Sequence, residues 1–413
     1  MTYDFDKIID RRGTNCYKYD EMPNDDTIAL WVADMDFETA PCVMEALRKR
    51  MEHGCFGYTK VPQSFYQATI DWFAERHGWT GIKPEWFIYT SGVVPAVSAI
   101  IKAMTKPGDK VLVHNPAYNC FFSSIRNNDC IVEPLEYSQD CPVGKELEKK
   151  CSDPAVKVLL LCNPHNPTGH VWTKEELTHI AEVCLRHNVF VIADEIHCEF
   201  VNPSCGKRYI PFATIADRIN NSKDRRLQYA VCTSPTKAFN IAGLQIANII
   251  CPDDSIRRRI DKAININEVC DVNPFGVIAL QAAYTPEGEE WLKQLNEYIY
   301  ANYDYTVDFL REHFPTWQPM PLEGTYLLWV KVDCNADQLC QDILERCNVY
   351  INSGSMYGDN NYIRLNLATQ RQRLEEALYR IHNSRLLALA SQQVGAASVA
   401  PAVRPITQFT VNS

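Results

Sequence analysis

The stretch VKVLLLC (Val156 to Cys162), NPHNPTG (Asn163 to Gly169) and, one helical segment later, VFVIADEI (Val189 to Ile196) decides the fold. VKVLLLC is short, continuous and apolar, as a strand buried on both faces of a parallel sheet must be. Beyond the NPHNPTG loop, Thr173 is followed three residues later by Glu176, the capping-box signature of a helix start. Leu177, Ile180, Ala181 and Cys184 then recur at helical spacing. VFVIADEI is the next strand and LQYAVCTS (Leu227 to Ser234) a third. Strand–helix–strand alternation predicts an α/β sheet that is mainly parallel. An earlier unit fits the same scheme: a strand at Phe87 to Thr90, a turn at Gly92, a helix through Val97 to Met104 and a strand at Lys110 to His114.

Working outward, the pattern changes after about Pro286. A long helical segment, Glu287 to Arg311, precedes TYLLWVKV (Thr325 to Val332), a helix near Ala336 to Arg346, NYIRLNLA (Asn361 to Ala368) and a last helix near Arg371 to Leu387. This predicts a smaller α+β unit. The expected organisation is an N-terminal segment 1–48 packing with the small unit, a large domain 49–285, a small domain 286–390 and a mobile tail 391–413. That tail carries one charge, Arg404, and keeps no helical or strand period.

Composition sets the outer limits. The chain has 413 residues, 46% hydrophobic and 22% charged, which excludes a disordered chain and a collagen-like or coiled-coil rod. A formal charge of −10 argues against nucleic-acid binding, which needs a basic footprint. No apolar run approaches the length of a membrane span; the longest, Ile241 to Cys251, contains Gln245 and Asn248. The charged start MTYDFDKIIDRRG does not read as a signal peptide. The 17 cysteines are scattered without a CxxC pair, so reduced thiols in a cytoplasm are expected. No metal site is expected, because the nearest histidine pair, His165 and His170, has no ligand partners flanking it in sequence. GxGxxG, GxxxxGK[ST], HExxH and GxSxG are all absent.

The chemistry-bearing residues stand at strand ends. Asn166 follows the first strand of the pair, Asp194 and Glu195 end the second, and Lys237 lies just past the third. Ligands of parallel α/β sheets bind at the carboxyl ends of strands, so these loops are expected to converge on one crevice. Ser91 and Gly92 add a strand-to-helix turn with free backbone N–H groups for a phosphate. Each residue alone has a plain structural reading: Lys237 a solvated lysine, Asp194 a helix N-cap, Asn166 turn chemistry, Arg364 an ion pair. Together, a lysine for a Schiff base, a carboxylate to keep a ring nitrogen protonated and a phosphate cradle fit pyridoxal 5′-phosphate.

The set TSGVV (Thr90 to Val94), NPHNPTG, ADEIH (Ala193 to His197), SPTKAFNIAG (Ser234 to Gly243) and YIRLNLA (Tyr362 to Ala368) resembles, in this order, the fold-type I, aminotransferase-like PLP enzymes, over about residues 1 to 385. WVADMDF (Trp31 to Phe37), GYT (Gly57 to Thr59), ERHGW (Glu75 to Trp79), NPAYNCF (Asn115 to Phe121) and DEIH are similar to the cystathionine β-lyase (C–S lyase) branch.

The resemblance implies roles by position. Lys237 carries the cofactor and shuttles the α-proton, Asp194 pairs with the pyridinium nitrogen, and Asn166 hydrogen-bonds the ring hydroxyl oxygen with His197 nearby. Tyr118 stacks on the ring. The N–H groups of Val93 and Val94, with Ser234, hold the phosphate. Arg364 clamps the substrate carboxylate with its planar fork, and Met35 of WVADMDF joins the substrate side. Tyr58 reaches the partner subunit's phosphate, which implies a homodimer with shared active sites. Two departures stand out: Gln245 replaces an arginine common eight residues after the lysine, and Thr236 precedes the lysine where Ser is frequent. The expected reaction is α,β-elimination of L-cystathionine or a related cysteine S-conjugate to thiol, pyruvate and ammonia. Its rivals are transamination between an amino acid and a 2-oxo acid, and a PLP-binding regulatory protein without turnover.

Overall fold

The computed structural model describes residues 2–222, 225–269 and 271–392. Seven strands form the main sheet in the spatial order Phe87–Thr90, Ala247–Ile250, Tyr229–Thr233, Phe190–Asp194, Val156–Cys162, Lys110–Asn115, Ile131–Glu136. Only Ala247–Ile250 runs against the rest, antiparallel to both neighbours. The register puts Cys162 opposite Asp194 and Asp194 opposite Cys232, so the carboxyl ends of the central strands are level.

The continuous apolar runs have a simple cause, since both faces of the sheet are covered. Leu159, Leu161, Val191 and Val231 face one core, shared with Leu177 and Ile180 of helix Lys174–His187. Val158, Leu160, Ile192 and Ala230 face the other, shared with Val97 and Ile101 of helix Val93–Met104. The expected cap is present: Thr173 Oγ1 accepts from the Glu176 amide at 3.2 Å, and Glu176 Oε2 accepts from the Thr173 amide at 2.7 Å. Such a cap contributes about 1 kcal/mol.

Several boundaries shift from the sequence expectation. The helix after Gly92 begins at Val93, not Val97, because Pro95 falls in its first turn, where a missing N–H costs nothing. The strand ending in ADEIH stops at Asp194, whose Oδ1 accepts from the Ile196 amide at 3.1 Å and turns the chain. The last helix runs Arg371–Gln392, so residues 391 and 392 belong to it; the rest of the expected mobile tail lies outside the described residues.

A second sheet, Asn352–Ser353, Tyr362–Asn366, Leu327–Lys331 and Gln318–Pro319, is antiparallel throughout. It packs a separate core with helices Pro286–His313, Ala336–Cys347 and Arg371–Gln392. The N-terminal segment is tied to it. Ile28–Ala29 pairs with Val349–Tyr350 in parallel, and Leu30 accepts from the Asn366 amide at 2.9 Å. Its next residues are held by a buried ion pair, Lys18 Nζ to Asp36 Oδ1 at 2.9 Å, both side chains fully covered. Gly324 locks the NPHNPTG loop against this region: its amide donates to Gly169 at 2.7 Å. A Cβ there would sit 2.8 Å from Pro164 and 2.9 Å from the Phe200 carbonyl oxygen, so only glycine fits this approach. No helix among the described residues is long and apolar enough to cross a membrane, and every described cysteine is a free thiol.

Candidate active site

Asp194, at a carboxyl end of the main sheet, is buried, and its carboxyl receives a single donor, the Ile196 amide. Burial pushes it up to about 7, against the pull of that amide and of the Lys237 charge. Lys237 follows strand Tyr229–Thr233, and its Nζ donates to the Ala33 carbonyl oxygen at 2.5 Å. Burial lowers its ammonium from the usual lysine range; Arg364 lowers it further, while Asp34, Cys120 and Asp194 oppose. The amine is thereby moved toward the neutral form that can take a proton.

Arg364 enters from the other sheet. Its strand Tyr362–Asn366 faces the loop after Cys162, so Nη1 donates to Asn166 Oδ1 at 3.1 Å. Nη2 donates to the Trp31 carbonyl oxygen at 2.9 Å, and the guanidinium lies 4.4 Å over the Tyr357 ring. Nε is buried without a partner. His197 is buried, and its Nδ1 also lacks a partner. Burial, with the positive charges of Lys237 and Arg364, depresses it to about 3, so it stays neutral.

The Thr90–Gly92 turn leads into an uncapped helix N-terminus. Helix Val93–Met104 has no side-chain cap, and the amides of Val93 and Val94 point out of its first turn. Ser234 is buried nearby in sequence to the lysine, but its hydroxyl donates to the Ile246 carbonyl oxygen at 2.5 Å and accepts from the Thr236 amide at 3.1 Å. Its only proton is therefore committed in this arrangement. Gln245 has φ +50° and is exposed.

Tyr118 is largely buried at the start of helix Asn119–Arg126, and that burial, together with the neighbouring Cys120, raises its phenol far above the usual range. Met35 is fully buried; its amide donates to Asn240 Oδ1 at 3.2 Å, which fixes the WVADMDF segment beside the SPTKAFN loop. Tyr58 is 98% exposed.

Sequence reasoning missed several neighbours. Ala33 and Trp31 act through carbonyl oxygens, which no side-chain pattern records, although both lie in a quoted motif. Cys120 interacts with Tyr118, Lys237 and Arg364. Glu195 is buried beside Asp194 and pushed up to about 7 by burial, against donors from Tyr209, the Phe212 amide and Asn163. His170, alone in sequence, is flanked in space by Glu176 at 3.0 Å and Glu323 at 3.2 Å.

A family model, aminotransferase class I and II, matches residues 25–381. The chain is 35% identical to cystathionine beta-lyase PatB of Bacillus subtilis over 393 residues, 91% of this chain and 98% of that protein. It is 35% identical to protein MalY of Escherichia coli over 404 residues, 92% of this chain and 98% of that protein. Among solved structures, cystalysin of Treponema denticola, which contains a pyridoxal 5′-phosphate cofactor, superposes with a TM-score of 0.87 at 30% identity, covering 94% of this chain and all of that one.

Proposed function

This chain belongs to the aminotransferase class I and II family and has its fold-type I architecture, and from that premise we propose that it is a PLP-dependent carbon–sulfur β-lyase. It converts L-cystathionine or a related cysteine S-conjugate and water to a thiol, pyruvate and ammonia. Asp194 at the end of one central strand and Lys237 just past the next, each within the field of the other's charge, carry the reading of the chemistry. The choice of a C–S bond rests on the relatives named cystathionine β-lyases.

The residues fit pyridoxal 5′-phosphate. Asp194 has an underused buried carboxyl, His197 Nδ1 and Arg364 Nε lack partners, and the Val93 and Val94 amides are uncapped. These are the groups a planar heteroaromatic phosphate would occupy. When bound, the cofactor supplies an aldehyde and a cationic ring that takes up the electrons released at the substrate Cα. Lys237 holds the aldehyde, Asp194 the ring nitrogen, Asn166 the ring oxygen with His197 beside it, and Tyr118 a ring face. Val93 and Val94 hold the phosphate; Ser234 joins them once its hydroxyl turns from Ile246.

The protein then does the positioning. Arg364 grips the α-carboxylate with Met35 and Trp31 bounding that side, which fixes which Cα bond faces the ring. Lys237, freed as a neutral amine, removes the α-proton. The thiolate departs from Cβ without further activation, because thiol conjugate acids have pKa values near 8 to 9.

A homodimer completes the reading. Met44 and Met51, seven residues apart on one helix face, are 54% and 60% exposed, and Phe56 and Tyr58 beside them are 52% and 98% exposed. A second copy covering this face would bring Tyr58 to its partner's cofactor phosphate. The free thiols suit the cytoplasm.

The experiment is direct. Purified protein is incubated with L-cystathionine, and pyruvate and thiol are assayed with and without a 2-oxo acid. The lyase yields both products without the oxo acid; product that needs it establishes transamination instead.

A further inference from the structure

Building on the lyase reading, we propose that Tyr17, Trp31 and Tyr350 form a wall that receives the group attached to the substrate sulfur. The favoured conjugates then carry an aromatic or bulky apolar S-substituent.

Three observations carry this. First, the rings form a chain, with centroids 5.1 Å apart for Tyr17 and Trp31 and 5.2 Å for Trp31 and Tyr350. Second, none of the three belongs to a hydrophobic core. Tyr17 is 49% exposed, and Trp31 and Tyr350 are half-buried. Large rings held together yet left facing outward are suited to an apolar occupant.

Third, the residue at the middle of the chain of rings contacts Arg364 through its backbone. The Trp31 carbonyl oxygen accepts from Arg364 Nη2 at 2.9 Å, so the wall is anchored to the carboxylate clamp. The Cys120 thiol is near enough to feel the charges of Lys237 and Arg364, and its own charge adds to burial and Glu21 in raising the Tyr17 phenol. A substrate held by its carboxylate at Arg364 and its Cα at Lys237 would extend its remaining arm toward the rings.

The size of the effect follows from ring contacts. An aromatic pair contributes beyond buried area by an amount equal to about 2- to 12-fold in an equilibrium constant. S-benzyl-L-cysteine offers the wall an aromatic ring, and S-methyl-L-cysteine offers it a single methyl group.

The test measures kcat/KM for thiol release from S-benzyl-, S-methyl-L-cysteine and L-cystathionine in the PLP-loaded enzyme, for wild type, Tyr17→Ala and Tyr17→Phe. Tyr17 is a surface side chain, so its truncation leaves the cores intact. Tyr17→Ala is expected to lower kcat/KM for the benzyl conjugate by about 3- to 10-fold and for the methyl conjugate by less than about twofold. Tyr17→Phe should keep the wild-type ratio, since the ring and not the hydroxyl does the holding. An equal loss on both conjugates, or no loss on either, overturns the wall while leaving the lyase reading standing. Wild type that releases no thiol from any of the three ends both.

Discussion

Arg364 and Asn166 meet at 3.1 Å across the junction of two sheets. The arginine comes from an antiparallel strand and the asparagine from the loop after a parallel one. The contact fixes the orientation of the guanidinium, and each group covers a buried polar atom of the other. Arg364→Lys keeps the charge but loses the fork. It should lower kcat/KM for thiol release about 10- to 100-fold, mostly as a higher KM, because a hydrogen bond to a charged group contributes about 1.5–3 kcal/mol. Steady-state kinetics check this; an unchanged KM would remove Arg364 from the substrate site.

Lys237→Ala should abolish both the borohydride-fixable pyridoxyl label and turnover. Removing a positioned proton-transfer group costs about 10²- to 10⁴-fold on its own, and the loss of the covalent tether adds to it. Peptide mapping after reduction reads the label directly; a label retained in the variant points to another lysine.

Asp194→Asn should have opposite effects on stability and on catalysis. The folded carboxyl is raised to about 7 from an ordinary 3.8. The folded chain thus holds a proton that the unfolded chain has released, and this group makes stability fall as pH rises from about 4 to 7. Without cofactor, the variant should melt above wild type at pH 8 and close to it at pH 4, by differential scanning fluorimetry. With cofactor it should lose most activity. A melting difference that does not change with pH would contradict the buried acid.

Lys18→Met removes the fully buried partner of Asp36 and leaves it Arg11 at 3.4 Å and the Tyr19 hydroxyl at 3.0 Å. Burial alone would raise that carboxyl, but the charge and hydrogen bond of Lys18 bring it below its ordinary value. Leaving a buried charge wholly uncompensated costs about 3–5 kcal/mol, and Arg11 and Tyr19 hold the loss here below that. The contribution is present above the ordinary carboxylate pKa and is lost as pH falls below it. Denaturant titrations of Lys18→Met at pH 7 and pH 3 should therefore show the larger deficit at pH 7.

Tyr58→Phe and Lys237→Ala chains, each impaired, should recover activity when co-expressed, because a mixed dimer contains one site with both native residues. Assaying the isolated heterodimer checks this, and the absence of recovery argues against a shared site.

The sequence made the central strands legible because both faces of the sheet are buried, so strands such as Val156–Cys162 are nearly uninterrupted in apolar residues. Strand Ile131–Glu136 escaped notice for the opposite reason: it is an edge, largely open to water, with Pro134 in its middle. Ala247–Ile250 was visible as an apolar run, but nothing local records that it lies antiparallel. Lys237, Asp194, Asn166 and Arg364 could be named because strand ends and motif order carry them. The pairing of Lys237 with Ala33 spans 204 residues and ends on a carbonyl, so no residue pattern could encode it.

That last contact has a consequence for how the crevice tolerates genetic change. The acceptors that Trp31 and Ala33 offer to Arg364 and Lys237 are main-chain atoms, which every substitution at those positions preserves. An alanine scan would pass over them entirely. What can disturb them is a shift in the path of the N-terminal segment, through the two-residue pairing of Ile28–Ala29 with Val349–Tyr350. Insertions or deletions between Ile28 and Phe37 should thus be far more damaging than point changes in the same stretch.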